Sequence, residues 1–515
     1  MAVRTCVALV AGAALALAFE PLRLVLLMPI AVAAFVLVQR DIPVRRAWLP
    51  GLAFGVGFMF TLISWMRAVG PDAWIALAAA QTVWFVALGP ALTVVQRLKG
   101  WPFWCACLWV AVEVLRGSWP FGGFPWGRLS FAVVDTPWAA GLPWLGVNGV
   151  SLLIALLGTA GAWAVLHART GRLAGVGLVA GAALLSIAPA AAPYQPPDDG
   201  RRLTVAAVQG NVPGSGDDIL SVHREVTANH VSATVDLAER VARGEEKKPD
   251  FVLWPENSTA VDPFGDPGVN QGILDASAAI DVPIVVGGIV DAPDPDQVMN
   301  QGIVWNPGTG GGDRYTKRHP VPFGEYIPWR DRVFKENFGK LALIPRDMAS
   351  GTRTEPLLIA GAKVADAICF DVAYDDGIAD QMREGAELLV VQTSNAMFIH
   401  TDQIEQQFAI SRLRAIETGK YVVVAATNGV SGIIAPDGEV LARADIRTQR
   451  VLVDDVVLND HLTLGVRIGP WSGYAAVAVS VGAILCAIVP YRRRKQSSPE
   501  PIEEPPVEKD APLPV

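Results

Sequence analysis

Two kinds of hydrophobic pattern divide the chain. Up to about residue 195, apolar runs follow one another without the polar face of a soluble amphipathic helix. They centre on residues 5–19, 22–38, 48–66, 74–96, 101–115, 145–166 and 173–192. A helix crosses a bilayer core with roughly 20 apolar residues, so each run reads as a candidate span, several of them short. An eighth run, Ile468 to Pro490, lies near the other end. The first run has the outline of a signal peptide, with Arg4 ahead of it. Further apolar runs follow at once, so it reads as a retained helix.

Between these regions the pattern changes to short apolar runs separated by polar helical stretches. Strands are expected at Leu203–Gln209, Phe251–Trp254, Pro283–Val290, Gln301–Trp305, Lys363–Ile368, Leu388–Gln392 and Tyr421–Ala426. Helices are expected over Leu220–Arg243 and Gln403–Thr418. Strands interleaved with helices predict an α/β domain. Ile303 to Tyr315 and Gly432 to Leu441 read as hairpins turning at Gly310-Gly311-Gly312 and Asp437-Gly438, so the sheet is expected to be mixed. The fold class is then a polytopic α-helical membrane domain of about eight transmembrane helices plus an α/β domain. The expected divisions are seven helices over 1–195, the α/β domain over 201–460, the eighth helix over 467–490, and a basic stop with a disordered tail over 491–515.

Charge orients this arrangement, because basic loops stay cytoplasmic. Arg40, Arg45 and Arg46 fall in one loop, Arg97 and Lys99 in the next alternate one, and Arg169 and Arg172 in a third. Arg492, Arg493, Arg494 and Lys495 follow the last run. The intervening loops hold only single arginines. Both termini are expected inside, with the α/β domain on the outer side of the membrane. Hydrophobic residues make up 51% and charged residues 18% of the 515, against roughly 25% charge in soluble chains. The net charge of -8 leaves no basic patch for nucleic acid.

Candidate chemistry sits where strand-like runs end, the usual place for ligand and catalytic groups in α/β folds. Glu256 ends one, in Trp254-Pro255-Glu256, where a semi-apolar pocket suits a carboxylate to proton transfer. Lys317, in Tyr315-Thr316-Lys317, offers an ammonium for an oxyanion. Cys369, in Ile368-Cys369-Phe370-Asp371, is the one cysteine of five in the polar half and offers an acyl-accepting thiol. Read singly, each has a blander explanation: a loop acid, a surface lysine and a packed thiol. The loop from Arg116 to Trp138 is rich in aromatics, including Trp119, Phe121, Phe124, Trp126, Phe131 and Trp138. It reads either as an interfacial anchor or as part of a lipid-entry path.

Taken in order and spacing, the three motifs resemble the nitrilase, or carbon–nitrogen hydrolase, superfamily over roughly residues 203–455. The resemblance implies an αββα sandwich with a Glu-Lys-Cys triad. With the membrane helices, Gly123-Phe124-Pro125-Trp126, Val208-Gln209-Gly210-Asn211, Pro322-Phe323-Gly324-Glu325-Tyr326 and Thr427-Asn428-Gly429, nearly the whole chain resembles the apolipoprotein N-acyltransferase family. That implies a phospholipid acyl donor, a diacylglyceryl-modified apolipoprotein acceptor, and no cofactor or metal. It implies Glu256 as base, Lys317 as oxyanion stabiliser, Cys369 as nucleophile and Glu325 as a second acid orienting Lys317 or Glu256. Phe370, Asp371, Asn395 and Trp126 follow as substrate-binding or supporting residues. The chain departs from the family pattern at Phe370-Asp371, at Asp217 and Asp218, and over Ser394 to Phe398, which bears on substrate contacts. Two other readings stay open: a membrane-anchored amidase of the same superfamily, and a non-catalytic scaffold for a polyprenol-phosphate mannose synthase.

Overall fold

A computed structural model describes residues 1–217, 222–330, 341–342 and 344–496. The expected tail beyond Gln496 and Asp218 therefore lie outside the described residues. The apolar runs become α1 (Ala2–Ala16), α2 (Leu27–Val38), α3 (Trp48–Leu62), α4 (Pro71–Val95), α5 (Trp101–Arg116), α6 (Leu142–Leu166) and α7 (Arg172–Ile187). Among the described residues, four segments are long and apolar enough to cross a membrane: Pro71–Val95, Pro137–Leu166, Arg172–Ala191 and Leu464–Val489. The run expected from residue 22 starts as a helix only at Leu27. Arg23 takes a positive φ of 55° and turns its guanidinium to Asp135 at 2.6 Å, so the preceding stretch bends instead of winding.

Small residues let these helices approach closely, as membrane packing requires. A Cβ on Gly12 of α1 would lie 2.1 Å from the Phe54 carbonyl of α3, and one on Gly57 would lie 2.1 Å from the Leu9 carbonyl. The bundle centre is aromatic. Phe35 stacks on Phe54 with centroids 4.2 Å apart, and Trp109 meets Phe54 edge-on at 5.8 Å.

The α/β domain runs β1 (Arg202–Gln209), α8 (His223–Ala242), β2 (Phe251–Leu253), α9 (Pro267–Ile280), β3 (Ile284–Asp291), β4 (Gln297–Asn306), β5 (Gly310–Thr316), β6 (Asp347–Met348), β7 (Leu357–Ile359), β8 (Ala362–Ile368), α10 (Asp376–Arg383), β9 (Leu388–Thr393), α11 (Gln403–Thr418), β10 (Val422–Ala426), β11 (Gly432–Ile434), β12 (Val440–Arg443) and β13 (Arg450–Val457). Helix α12 (Leu464–Gln496) follows. One sheet has the order β13-β1-β2-β3-β4-β5, with β6 beside β4; the other is β12-β11-β10-β9-β8-β7. Both are mixed: β1-β2-β3 and β8-β9-β10 run parallel, and the flanking pairs are antiparallel except β6, which runs parallel to β4. The β4–β5 turn corrects the expectation. The chain reverses over 307–309, and Gly310-Gly311-Gly312 already belongs to β5, because positive φ at Gly308 and Gly310 closes the loop earlier.

Three apolar layers make the sandwich. Val205, Phe251 and Val285 of the first sheet meet Val364, Leu388 and Val423 of the second. The outer face of the first sheet packs on α8 and α9 through Val252, Trp254, Leu237 and Ile273. The outer face of the second, with α10 and α11, is continuous with the helical bundle: Leu389, Val424, Phe408 and Leu413 share one core with Phe58, Trp65, Trp126 and Leu142. The helical layer of an αββα sandwich is here also the seat on the membrane helices.

Candidate active site

Glu256 follows β2, Lys317 follows β5 and Cys369 follows β8, so three segments distant in sequence end at one place. Lys317 Nζ lies 3.1 Å from Glu256 Oε1 and 2.7 Å from Glu325 Oε1. The lysine side chain is 1% exposed and that of Glu256 4%. Buried charges need full sets of partners, and these have them. Glu256 Oε1 also accepts from Asn300 Nδ2 at 2.8 Å, and its Oε2 from the Ser394 amide at 2.9 Å. Glu325 Oε2 accepts from the Val321 amide at 2.7 Å. The Pro-Phe-Gly-Glu turn thus folds its acid back on the lysine, which places Glu325 beside Lys317 as the sequence suggested. Burial disfavours the ammonium, but Glu256 and Glu325 outweigh it and hold Lys317 well above its usual range. Burial raises Glu325, against the pull of Lys317.

Cys369 opens a short turn at a positive φ of 53°, a backbone conformation that non-glycine residues adopt at some cost and that often marks functional positions. Its thiol is hydrogen-bonded with Thr393 and lies in the field of Glu256 and Lys317. Burial and the Glu256 charge push the thiol up to about 12, with Lys317 working in the opposite direction. The resting group is a thiol, so attack requires a base to remove its proton.

The supporting residues sort by what they touch. Asp371 braces the segment that carries the lysine. Its Oδ2 accepts from Tyr315 OH at 3.0 Å and the Arg318 amide at 3.2 Å, and its Oδ1 from the His319 amide at 2.8 Å. Burial opposes its charge, but the His319 ring 3.1 Å away keeps it below the usual carboxylate range. His319 is stacked on Tyr374 at 3.8 Å. Burial lowers it, yet Asp371 and Asp376 raise it to about 9. Asn395 gives its amide hydrogens to Gln403 at 3.1 Å and Gln407 at 2.7 Å, fixing the turn whose Ser394 amide holds Glu256.

Phe370 faces the helices and stacks with Phe124 at 5.7 Å and Trp126 at 6.2 Å. The aromatic loop is therefore more than an anchor: Phe124, Trp126, Phe131 and Trp138 are buried, whereas Trp119 is exposed. Gln406 of α11 accepts from the indoles of Trp126 at 2.7 Å and Trp65 at 3.1 Å. Sequence reading missed Asn300, Thr393 and Gln406, and noted Ser394 only as part of a divergent stretch. Their signal was faint: polar side chains or amides in stretches whose neighbours are apolar or helical.

A sandwich of two mixed sheets with Glu, Lys and Cys at three strand ends defines the carbon–nitrogen hydrolase class, and the profile of that family, carbon-nitrogen hydrolase, matches residues 204–461. The profile of the apolipoprotein N-acyltransferase N-terminal domain matches residues 11–160. The chain belongs to the apolipoprotein N-acyltransferase family. It is 35% identical to the apolipoprotein N-acyltransferase of Mycolicibacterium smegmatis over 460 residues, covering 85% of this chain and 77% of that one. It is 31% identical to that of Ralstonia nicotianae over 93% of this chain and 91% of the relative. Among solved structures, Saccharomyces cerevisiae Nit3, a member of branch 10 of the nitrilase superfamily, is 16% identical with a TM-score of 0.35, over 50% of this chain and 90% of its own.

Proposed function

We propose that the chain transfers a fatty acyl group from a phospholipid, through a thioester on Cys369, to the N-terminal α-amine of a diacylglyceryl-cysteine lipoprotein. One observation carries this reading. The polar cluster of Glu256, Lys317 and Cys369 meets the helical bundle through Phe370, Phe124 and Trp126, so the thiol stands at the seam between a charged site and an apolar scaffold. A small soluble amide needs no such seam; an acyl ester held in a bilayer does.

The chemistry follows from the charge states. As the sulfur attacks the ester carbonyl, its proton passes to Glu256, and the S–C bond forms. The oxyanion lies in the field of Lys317, which Glu325 and Glu256 keep charged. The tetrahedral adduct expels the lysophospholipid alkoxide, which takes the proton from Glu256. The lipoprotein amine then attacks the thioester and gives its proton to Glu256; the C–S bond breaks and the thiolate recovers the proton. A thioester splits one slow ester aminolysis into two easier steps. The catalytic roles of Glu256, Lys317 and Cys369 belong to this reading. So do the eight-span topology over 1–195 and 467–490, the extracytoplasmic placement of 201–460 and the cytoplasmic tail 491–515. Its topological support is the alternation of basic loops, from Arg40, Arg45 and Arg46 to Arg169 and Arg172. No observation favours a mannose synthase partner, and that idea is not carried forward.

The test uses the full-length protein in detergent with a phospholipid bearing a labelled acyl chain. Intact mass is expected to rise by one acyl group on Cys369, and the label to move to a synthetic diacylglyceryl-peptide. Cys369→Ala is expected to lose both, by at least about 10⁴-fold in rate, with an unchanged thermal midpoint. Turnover of small amides with no acyl-enzyme would sink the transferase reading in favour of an amidase.

A further inference from the structure

Beneath the site lies a buried acid that the reaction does not use. Asp366, in β8 three residues before Cys369, is fully buried between the sheets, and neither of its carboxylate oxygens has a hydrogen-bond partner. Gln392 of β9 has an equally orphaned Oε1, while its Nε2 donates to the Trp254 carbonyl at 2.6 Å. The two orphan oxygens converge on one point. A Cβ on Gly302 of β4 would sit 2.1 Å from Asp366 Oδ2 and 2.4 Å from Gln392 Oε1. Two buried acceptors converging on one methylene position require a hydrogen between them. Turning the amide over does not supply it, since Oε1 would then face the Trp254 carbonyl. Of the two side chains, only the acid can carry the missing hydrogen.

We propose that Asp366 is a positioning residue for acyl transfer: as a neutral carboxylic acid it donates to Gln392 Oε1, and the pair fixes the strand ends that deliver Glu256 and Cys369. The path is short. Trp254 lies two residues before Glu256, and Asp366 lies on the strand that ends at Cys369. Gln392 precedes Thr393, which bonds the thiol, and Ser394, whose amide holds Glu256. The groups facing Asp366 agree. Burial, and then the charges of Asp371 and Glu256, push its acid well above the usual range against the Ala367 amide. Glycine at 302 is explained as well, because any side chain there would displace the pair.

The experiment compares Asp366→Asn with Asp366→Leu in the full-length protein. It reads folding, acyl-enzyme formation from phospholipid, the pH profile of Cys369 alkylation by iodoacetamide, and the infrared spectrum. Asparagine still donates to Gln392, so D366N is expected to form acyl-enzyme within about threefold of the parent and to keep its alkylation profile. D366L, still folded, is expected to slow by about thirtyfold or more, the scale of a misplaced reacting group, with an altered alkylation profile. The parent is expected to show a carboxylic-acid carbonyl band at neutral pH that D366N lacks. Absence of that band difference would overturn the proposal. So would full activity in D366L, or a D366N alkylation profile moved to lower pH, as loss of a real negative charge would produce. If D366L does not fold, the infrared and D366N arms decide. The proposal rests on the acyl-transfer reading only for its rate arm. A parent that forms no acyl-enzyme would defeat that reading, while the infrared and alkylation arms would still decide the state of Asp366.

Discussion

The two outer helical layers of the sandwich carry similar sequences and live in different surroundings. Helix α8 is amphipathic in the ordinary sense: Val226, Thr227, His230, Ala233, Thr234 and Leu237 are buried, and its opposite face meets solvent. Helix α11 is as polar along its length, yet only Glu405 and Arg412 of its 16 residues escape burial. Some of its polar groups reach the membrane-helix side. Gln406 accepts from Trp65 and Trp126. Arg414 pairs with Glu417 at 2.5 Å and Asp375 at 2.9 Å, and Asp375 pairs in turn with Arg128. Glu417 Oε1 receives the Val147 amide at 3.2 Å, just past Gly146, where α6 breaks at φ 65°. This polar helix is a docking surface: Gln406 and Glu417 meet the bundle, while Gln403 and Gln407 hold Asn395 of the α/β domain.

This contrast sets the expected effects of substitution. Arg414→Met leaves the buried Glu417 without its cation, while Asp375 keeps Arg128, so it is expected to cost about 3–5 kcal/mol. Thermal denaturation of the detergent-solubilised chain checks it; a loss no larger than that of a surface change on α8 would dissolve the contrast.

Two histidines extend the comparison to pH. His319, on the inner side, is raised to about 9 from 6.5. Its contribution is therefore complete below pH 6.5 and lost as pH rises through about 9, amounting to no more than about 3 kcal/mol. His230, under α8, is lowered by burial to about 4; its neutral ring accepts the Gly210 amide at 3.2 Å. Its contribution is present above pH 6.5 and lost as pH falls toward 4. Thermal midpoints against pH are expected to lose their alkaline slope in His319→Asn and their acidic slope in His230→Asn. Exchanged slopes would reverse the assignment.

Gln406→Met leaves two indole donors without an acceptor, at about 1–3 kcal/mol. Acyl-enzyme formation is expected to fall more than stability does, since Trp126 backs Phe370 beside the thiol; equal losses would make Gln406 a mere packing element. Glu239→Ala, on the exposed face of α8, is expected to leave the midpoint unmoved, because exposed pairs such as Glu239–Arg243 contribute little. A measurable drop there would show that the outer layer is not the passive one.

Much of this was legible along the chain where signals are local. The strand at Leu388 and the helix over Gln403–Thr418 follow from apolar runs and helical spacing, and Glu256, Lys317 and Cys369 stand out by their Pro- and Gly-marked turns. The early end of the β4–β5 hairpin was not legible, because several adjacent glycines allow the reversal at more than one place. Asp371 was expected as a substrate-binding or supporting residue, and the structure shows what it supports. Its four contacts come from Tyr315, Arg318 and His319, more than 50 residues away, and no local pattern announces them.

By itself the amino-acid order determined the division into apolar helices and an α/β domain, and singled out the three groups of the candidate site. Those depend on hydrophobic period and on residue chemistry, both of which are written locally. Only the tertiary structure decided that a polar helix is buried against the bundle, that Glu325 closes on Lys317, and that Asp366 and Gln392 share one hydrogen. Each of these depends on which groups lose water together, and that is settled when distant segments pack.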